Sequence, residues 1–175
     1  MKYTDTGIIF KDSDYASFFT RVIIILIDIA FLFLLLIASV FLDDFLYQSY
    51  YTDDYVVSKY VFMMFTFFYL TVLKASEFGT LGQMLTKTKI LHINGKKPSI
   101  FVMIFRLIFW SVGPLNVIAD IAWMTLNKEK RTVRDSVSNT IVVKKNAKPL
   151  STDAEIKNVR VFFFGLNFLY RTAAS

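Results

Sequence analysis

Residues 22–42 form one apolar run, interrupted only by Asp28 and Ser39. A helix of about 20 apolar residues matches a bilayer hydrocarbon core of about 30 Å. A cleavable signal peptide is the competing reading, but its apolar stretch is about 7–15 residues and ends at a small-residue cleavage site. This run is longer, begins well inside the chain and is followed by Asp43 and Asp44. It therefore predicts a transmembrane helix, with Tyr15, Phe18 and Phe19 placed ahead of it as interfacial anchors.

The rest of the chain fits that environment. Hydrophobic residues make up 55% of the 175, against about 45–50% in soluble domains. Cysteine is absent and His92 is the one histidine, so disulfides, thiolate metal sites, Cys nucleophiles and multi-His centres are excluded. No nucleotide loop and no Ser/His arrangement is present, and no cofactor or metal is expected. A net charge of +6 fits basic cytoplasmic loops beside anionic lipid and gives no ground for a nucleic-acid partner.

A second apolar run, residues 56–73, ends at Lys74 and Glu77. A third, residues 100–126, carries Arg106, Gly113-Pro114, Asn116 and Asp120. Cytoplasmic loops are enriched in Lys and Arg. The Asp-rich 43–58 loop holds none before Lys59, so it is predicted outside, and the N-terminus and the basic 79–97 loop inside. Residues 127–148 are basic too, and one full crossing by 100–126 would place them outside. Gly113-Pro114 can break the helix near its middle, and each half, about 20 Å long, is too short to span. The fold class expected is an all-α membrane protein: two transmembrane helices plus a Gly-Pro-broken re-entrant helical pair. One continuous kinked helix is the alternative. Residues 89–93 and 140–145 alternate like strands and are expected to pair as a small cytoplasmic β-hairpin-like element. No internal repeat is evident. Residues 1–150 read as the membrane domain and 151–175 as a tail, whose short aromatic stretch, 159–170, would lie at the interface.

An ionisable group within hydrocarbon costs about 2.5–3.5 kcal/mol on insertion scales and marks a candidate site. Arg21, Asp28, Arg106 and Asp120 qualify. Arg21 stands at the cytoplasmic end of the first helix, where a snorkelling anchor is the ordinary reading. Asp28 lies about 10 Å deeper on nearly the same face, too far for a direct pair with Arg21. Depth counting puts Asp28, Arg106 and Asp120 at one level and predicts a buried cluster, since one guanidinium can fork to two carboxylates. Such a cluster either fixes helix packing or holds a proton or Na⁺ in a low-dielectric place.

These residues, taken in series, resemble the RDD family of bacterial membrane proteins, named for one Arg and two Asp. Arg21 and Asp28 match the first two positions. GTLGQMLTKTKILHINGKKPS (residues 79–99) is similar to the family's Gly-x-Thr-Leu-Gly segment with its short strand and turn. Arg106 matches the Arg of the following helix, and RTVRDSVSNTIVVKK (residues 131–145) the closing segment, with Asp135 as the second named Asp. The resemblance covers about residues 17–145; Asp120 is not part of the pattern. It implies a multi-pass inner-membrane protein, some of whose relatives are linked to Na⁺/H⁺ antiport. It also draws attention to Asp135, which is expected either to cap a short helix with Thr132 or to pair with Arg21.

The functional expectation is a non-enzymatic subunit or scaffold of a bacterial inner-membrane assembly, both termini cytoplasmic, with the bilayer and other membrane subunits or further copies of the chain as partners. The alternative is an ion-coupled transporter that moves a monovalent cation or proton through Asp28.

Overall fold

The computed structural model describes residues 6–50, 55–110, 115–125, 129–163 and 166–173. Its first strand, β1 (Thr6–Ile9), leads into the long helix α1 (Phe18–Tyr50). Residues Phe18–Phe45 of that helix have the length and composition to cross a membrane, with a mean hydropathy of 3.1 over the most apolar window. Its outer face is apolar and uncovered: Phe19, Phe33 and Phe41 are all exposed. An aqueous surface would not tolerate that row, so lipid or another protein must cover it.

α2 (Tyr55–Phe68) returns along α1 and ends in a π-helical turn, Tyr69–Leu73. Then come the one-turn helix α3 (Leu81–Leu85) and strand β2 (Thr88–His92). α4 (Ile100–Trp110) and α5 (Leu115–Thr125) follow. Eleven residues in each make a rod of about 16 Å, half of a hydrocarbon core. The expected Gly113-Pro114 break lies outside the described residues. The one-turn helix α6 (Val133–Val137), strand β3 (Thr140–Lys144) and the strands β4 (Ser151–Phe163) and β5 (Leu166–Ala173) complete the chain.

The chain is thus mostly helical but not all-α. β2 and β3 pair antiparallel with Ile90 opposite Val142. β1, β4 and β5 form a second antiparallel sheet in the order β1-β4-β5. The stretch expected at the interface, 159–170, forms part of a β-hairpin, with Val159 opposite Tyr170 and Phe163 opposite Leu166. Judged by apolar content alone, that stretch reads only as a short aromatic segment. Asn158, Arg160, Asn167 and Arg171 break it into strand-like alternation. Because β1 pairs with β4, the 151–175 segment is joined to the N-terminal arm.

The β2–β3 ribbon is covered on both faces. Ile90 and Val142 turn to Met103 of α4 and to Ala16, while Ile141 and Val143 turn to Phe10 and Tyr15. Tyr15, expected at the lipid interface, is buried here, and its hydroxyl accepts from the Phe10 amide at 3.1 Å. The N-terminal arm adds to the ribbon's edge: the Ala16 amide donates to Val142 O and the Lys144 amide to Asp14 O, each at 2.9 Å.

An internal repeat, not evident in the sequence, organises this centre. Thr80, Gln83, Thr86, Thr88 and Asn94 correspond at one constant offset to Thr132, Asp135, Ser138, Thr140 and Asn146. α3 opens with a capping box of Thr80 and Gln83, and α6 with one of Thr132 and Asp135. Thr86 Oγ1 donates to Gly82 O at 2.7 Å and Ser138 Oγ to Arg134 O at 2.5 Å. Lys87 and Asn139, which follow, both take positive φ of 51°. Even the cross-strand closures match: Lys145 N to Lys87 O at 2.7 Å and Ile93 N to Asn139 O at 2.9 Å. The Ile90–Val142 pair sits on the local two-fold axis, which in an antiparallel ribbon stands perpendicular to the strands' plane. The units it relates, each a capped turn and a strand, therefore lie on the same side of the ribbon, and Met103 of α4 and Ala75, just past the π-helical turn, both pack against the Ile90–Val142 face.

Candidate functional site

Two buried carboxylates anchor the two capped turns to the apolar helices, and each does so differently. Asp28 reaches from α1 to α3. Its Oδ1 accepts from the Tyr69 hydroxyl and the Gly82 amide, and its Oδ2 from the Thr80 hydroxyl, all at 2.9 Å. Tyr69 is held in turn: its oxygen accepts from the Leu81 amide at 2.9 Å, and its ring lies against Phe31, with centroids 5.2 Å apart. The π-helical turn carries this tyrosine; such turns recur at sites with a special geometric requirement. α3 lies so close to α1 that a Cβ on Gly82 would stand 2.5 Å from Ile24 O and 2.9 Å from Asp28 Oδ1. Glycine is required there by close approach.

Asp135 stands in the equivalent of Gln83's position on α6 and is fully buried. Arg21 of α1 places Nη1 2.5 Å from its Oδ2, and Arg106 of α4 places Nη1 2.5 Å from its Oδ1. The Arg106 contact is an ion pair, not an aligned hydrogen bond, since Asp135 Oδ1 has no hydrogen-bond partner. Arg21 Nη2 also donates to Lys130 O at 3.0 Å, and Arg106 Nη1 bonds the Thr140 hydroxyl. Within α6 the Thr132 amide donates to Asp135 Oδ2 at 3.3 Å and the Asp135 amide to Thr132 Oγ1 at 3.1 Å. Burial by itself pushes the Asp135 carboxyl up, but Arg106, Arg21 and Arg134 outweigh it and hold the group far below the usual carboxylate range.

Asp120 of α5 grips the start of the same turn. Arg134 Nε and Nη2 donate to its Oδ2 at 3.1 and 2.7 Å, and the Val133 amide to its Oδ1 at 3.0 Å. Trp123, one turn on and buried, donates Nε1–H to Ser136 Oγ at 2.9 Å. α6 is thus fastened to α1, α4 and α5 at once.

The structure brings Arg21, Arg106 and Asp135 into one triad. It does not join Asp28, Arg106 and Asp120 by direct ion pairs: Asp28 and Arg106 line one cavity, but Arg106 pairs with Asp135 and Asp120 with Arg134. Depth counting set these three at one level but ignored azimuth and the polar turns on either side, and each carboxylate finds donors there. Tyr69, Thr80, Gly82 and Arg134 were missed as partners. The signal for one of them, Thr80, was legible, since Thr80-x-x-Gln83 reads as a capping box.

The family model of the RDD family matches residues 15–139. The chain belongs to the RDD family. RDD proteins are membrane proteins, which accounts for the bare apolar face of α1. Neither a curated protein nor a solved structure matches the chain. The matched span holds Arg21, Asp28, Arg106, Asp120 and Asp135, and stops just before β3. Among the described residues no group of His, Cys, Asp and Glu suits a metal ion.

Proposed function

We propose that this RDD protein is a non-enzymatic, multi-pass subunit or scaffold of a bacterial inner-membrane assembly, alongside other membrane subunits or further copies of itself. One observation carries the reading: Asp28, Asp120 and Asp135 are each held by two or more donors from the chain itself. Carboxylates engaged in this way fix helices and turns in place. They offer no open coordination to a travelling ion and no acid beside a nucleophile.

The topology proposed is two spans, α1 and α2 with its π turn, then α4 and α5 as a re-entrant pair, with both termini cytoplasmic. The packing of Met103 of α4 and of Ala75, after the second apolar segment, against one face of the ribbon supports this. Single cysteines introduced into this cysteine-free chain at Asp44 and Lys97 test it. A membrane-impermeant maleimide applied to intact cells is expected to label Asp44→Cys and to reach Lys97→Cys only after permeabilisation. The reverse pattern inverts the topology.

Cation or proton antiport is kept as the second reading because Asp28 also lines a cavity and Lys74 Nζ is 4.0 Å from its Oδ2, a loose pair. Purified protein in proteoliposomes decides between them. The scaffold reading expects no proton or Na⁺ flux above protein-free vesicles. Flux that Asp28→Asn abolishes establishes transport instead.

A further inference from the structure

A cavity of about 210 Å³ lies between α1, α2, α4 and α6. Lys74, Arg106 and Arg134 stand at its polar part with Asp28, and Ile25, Leu32 and Leu107 are among the residues that make it apolar. From these features we propose that it is a binding site for an anionic phospholipid, with the phosphodiester beside Lys74 and one acyl chain against the apolar wall.

Three observations point to that occupant. The first is charge. The cavity is lined by the mostly covered cations of Lys74, Arg106 and Arg134 and the carboxylate of Asp28, and the ion pairs behind it add Arg21, Asp120 and Asp135, four cations against three carboxylates. One positive charge is left over, and a charge away from water needs a partner. A phosphodiester supplies one negative charge. A zwitterionic lipid brings its own ammonium and leaves the excess standing.

The second is the state of Lys74. Its ammonium carries three donors, yet among the described residues its ion-pair partner is Asp28 alone, at 4.0 Å. Asp28 is already occupied by Tyr69, Thr80 and Gly82. Across the cavity, Thr66 Oγ1 is buried with no hydrogen-bond partner among the described residues. A headgroup with phosphate oxygens and a glycerol hydroxyl fits both.

The third is the wall. Ile29, which also lines the cavity, is 47% exposed on the bare face of α1, so the apolar side of the site continues onto a surface that lipid covers. Free phosphate would leave that wall empty. Basic pockets between membrane helices that hold lipid headgroups follow the same physics.

The test is native mass spectrometry of the full chain in detergent with phosphatidylglycerol, phosphatidylcholine or inorganic phosphate. The wild type is expected to retain one phosphatidylglycerol, to discriminate against phosphatidylcholine, and to keep the lipid when phosphate is added. Lys74→Gln is expected to weaken retention about fivefold, and Lys97→Gln, a surface control, to leave it unchanged. Unchanged retention in Lys74→Gln, equal retention of phosphatidylcholine, or displacement by inorganic phosphate overturns the proposal. Should Lys74→Gln fail to fold, photoactivatable phosphatidylglycerol on the wild type decides. Adducts at residues 25–32, 66–74 and 103–107 support the site, and adducts confined to other segments exclude it.

Discussion

Asp135→Asn is expected to destabilise the folded protein by about 3–5 kcal/mol, the cost of breaking a buried ion pair from one side. The amide keeps the volume but not the charge. Two guanidiniums, Arg21 and Arg106, with side chains only 11% and 12% exposed, then face each other across a neutral group. The Thr132 capping box loses its carboxylate as well. Because α6 ties α1 to α4 and α5, the expected phenotype is loss of helix association, read as a lower thermal midpoint in detergent and faster proteolysis. Changing Arg21 and Arg106 to Gln in the same chain removes the repulsion and is expected to recover part of the loss. No recovery would mean that the clamp acts through shape rather than charge.

The same site sets an acid limit. Asp135 is held below its unfolded value of about 3.9. A depressed folded pKa contributes stability that is fully present above the unfolded value and is lost as pH falls toward the folded one. The thermal midpoint is therefore expected to be insensitive to this group between about pH 7 and pH 5 and to fall below about pH 4. In Asp135→Asn that acid-side fall should flatten; a fall as steep as in the wild type would assign the acid limit to other groups.

The long helix, the second apolar segment and the β2–β3 pairing were legible because hydropathy and alternation are local signals. The Arg21–Asp135 contact was legible only through the family resemblance, which drew attention to Asp135; the depth argument had merely denied Asp28 to Arg21. Three things were not. The C-terminal hairpin was hidden because its apolar content outweighs its alternation to the eye. The repeat was hidden because identities are sparse: of the five pairs named above, only Thr80, Thr88 and Asn94 are identical to their counterparts Thr132, Thr140 and Asn146; what repeats is the backbone plan of cap, positive-φ residue and strand. The partners of Asp28 were hidden because a backbone amide and a tyrosine over forty residues away carry no charge pattern to search for. A carboxylate in an apolar helix invites a search for a cation, and here neutral donors satisfy it.

That distinction gives the second large effect. Asp28→Ala removes the acceptor of the Tyr69 hydroxyl, the Thr80 hydroxyl and the Gly82 amide together. A buried donor left unsatisfied costs about 1–3 kcal/mol. Some of the three can find substitutes: Thr80 Oγ1 also lies 3.3 Å from Gln83 Oε1. A net loss of about 3–5 kcal/mol is expected on this count. Asp28→Asn keeps one acceptor oxygen but must turn an NH₂ toward one of these donors, so it should fall between the wild type and Asp28→Ala. Tyr69→Phe removes one bond of the three and is expected to cost about 1 kcal/mol. A structural carboxylate predicts this graded series in thermal midpoint, read in detergent without any ion gradient. An ion-carrying carboxylate predicts the opposite, with Asp28→Asn and Asp28→Ala folding as well as the wild type because the empty site stores the strain of a bare charge. A flat or stabilised series would therefore turn Asp28 from a fastening between α1 and α3 into a transport residue.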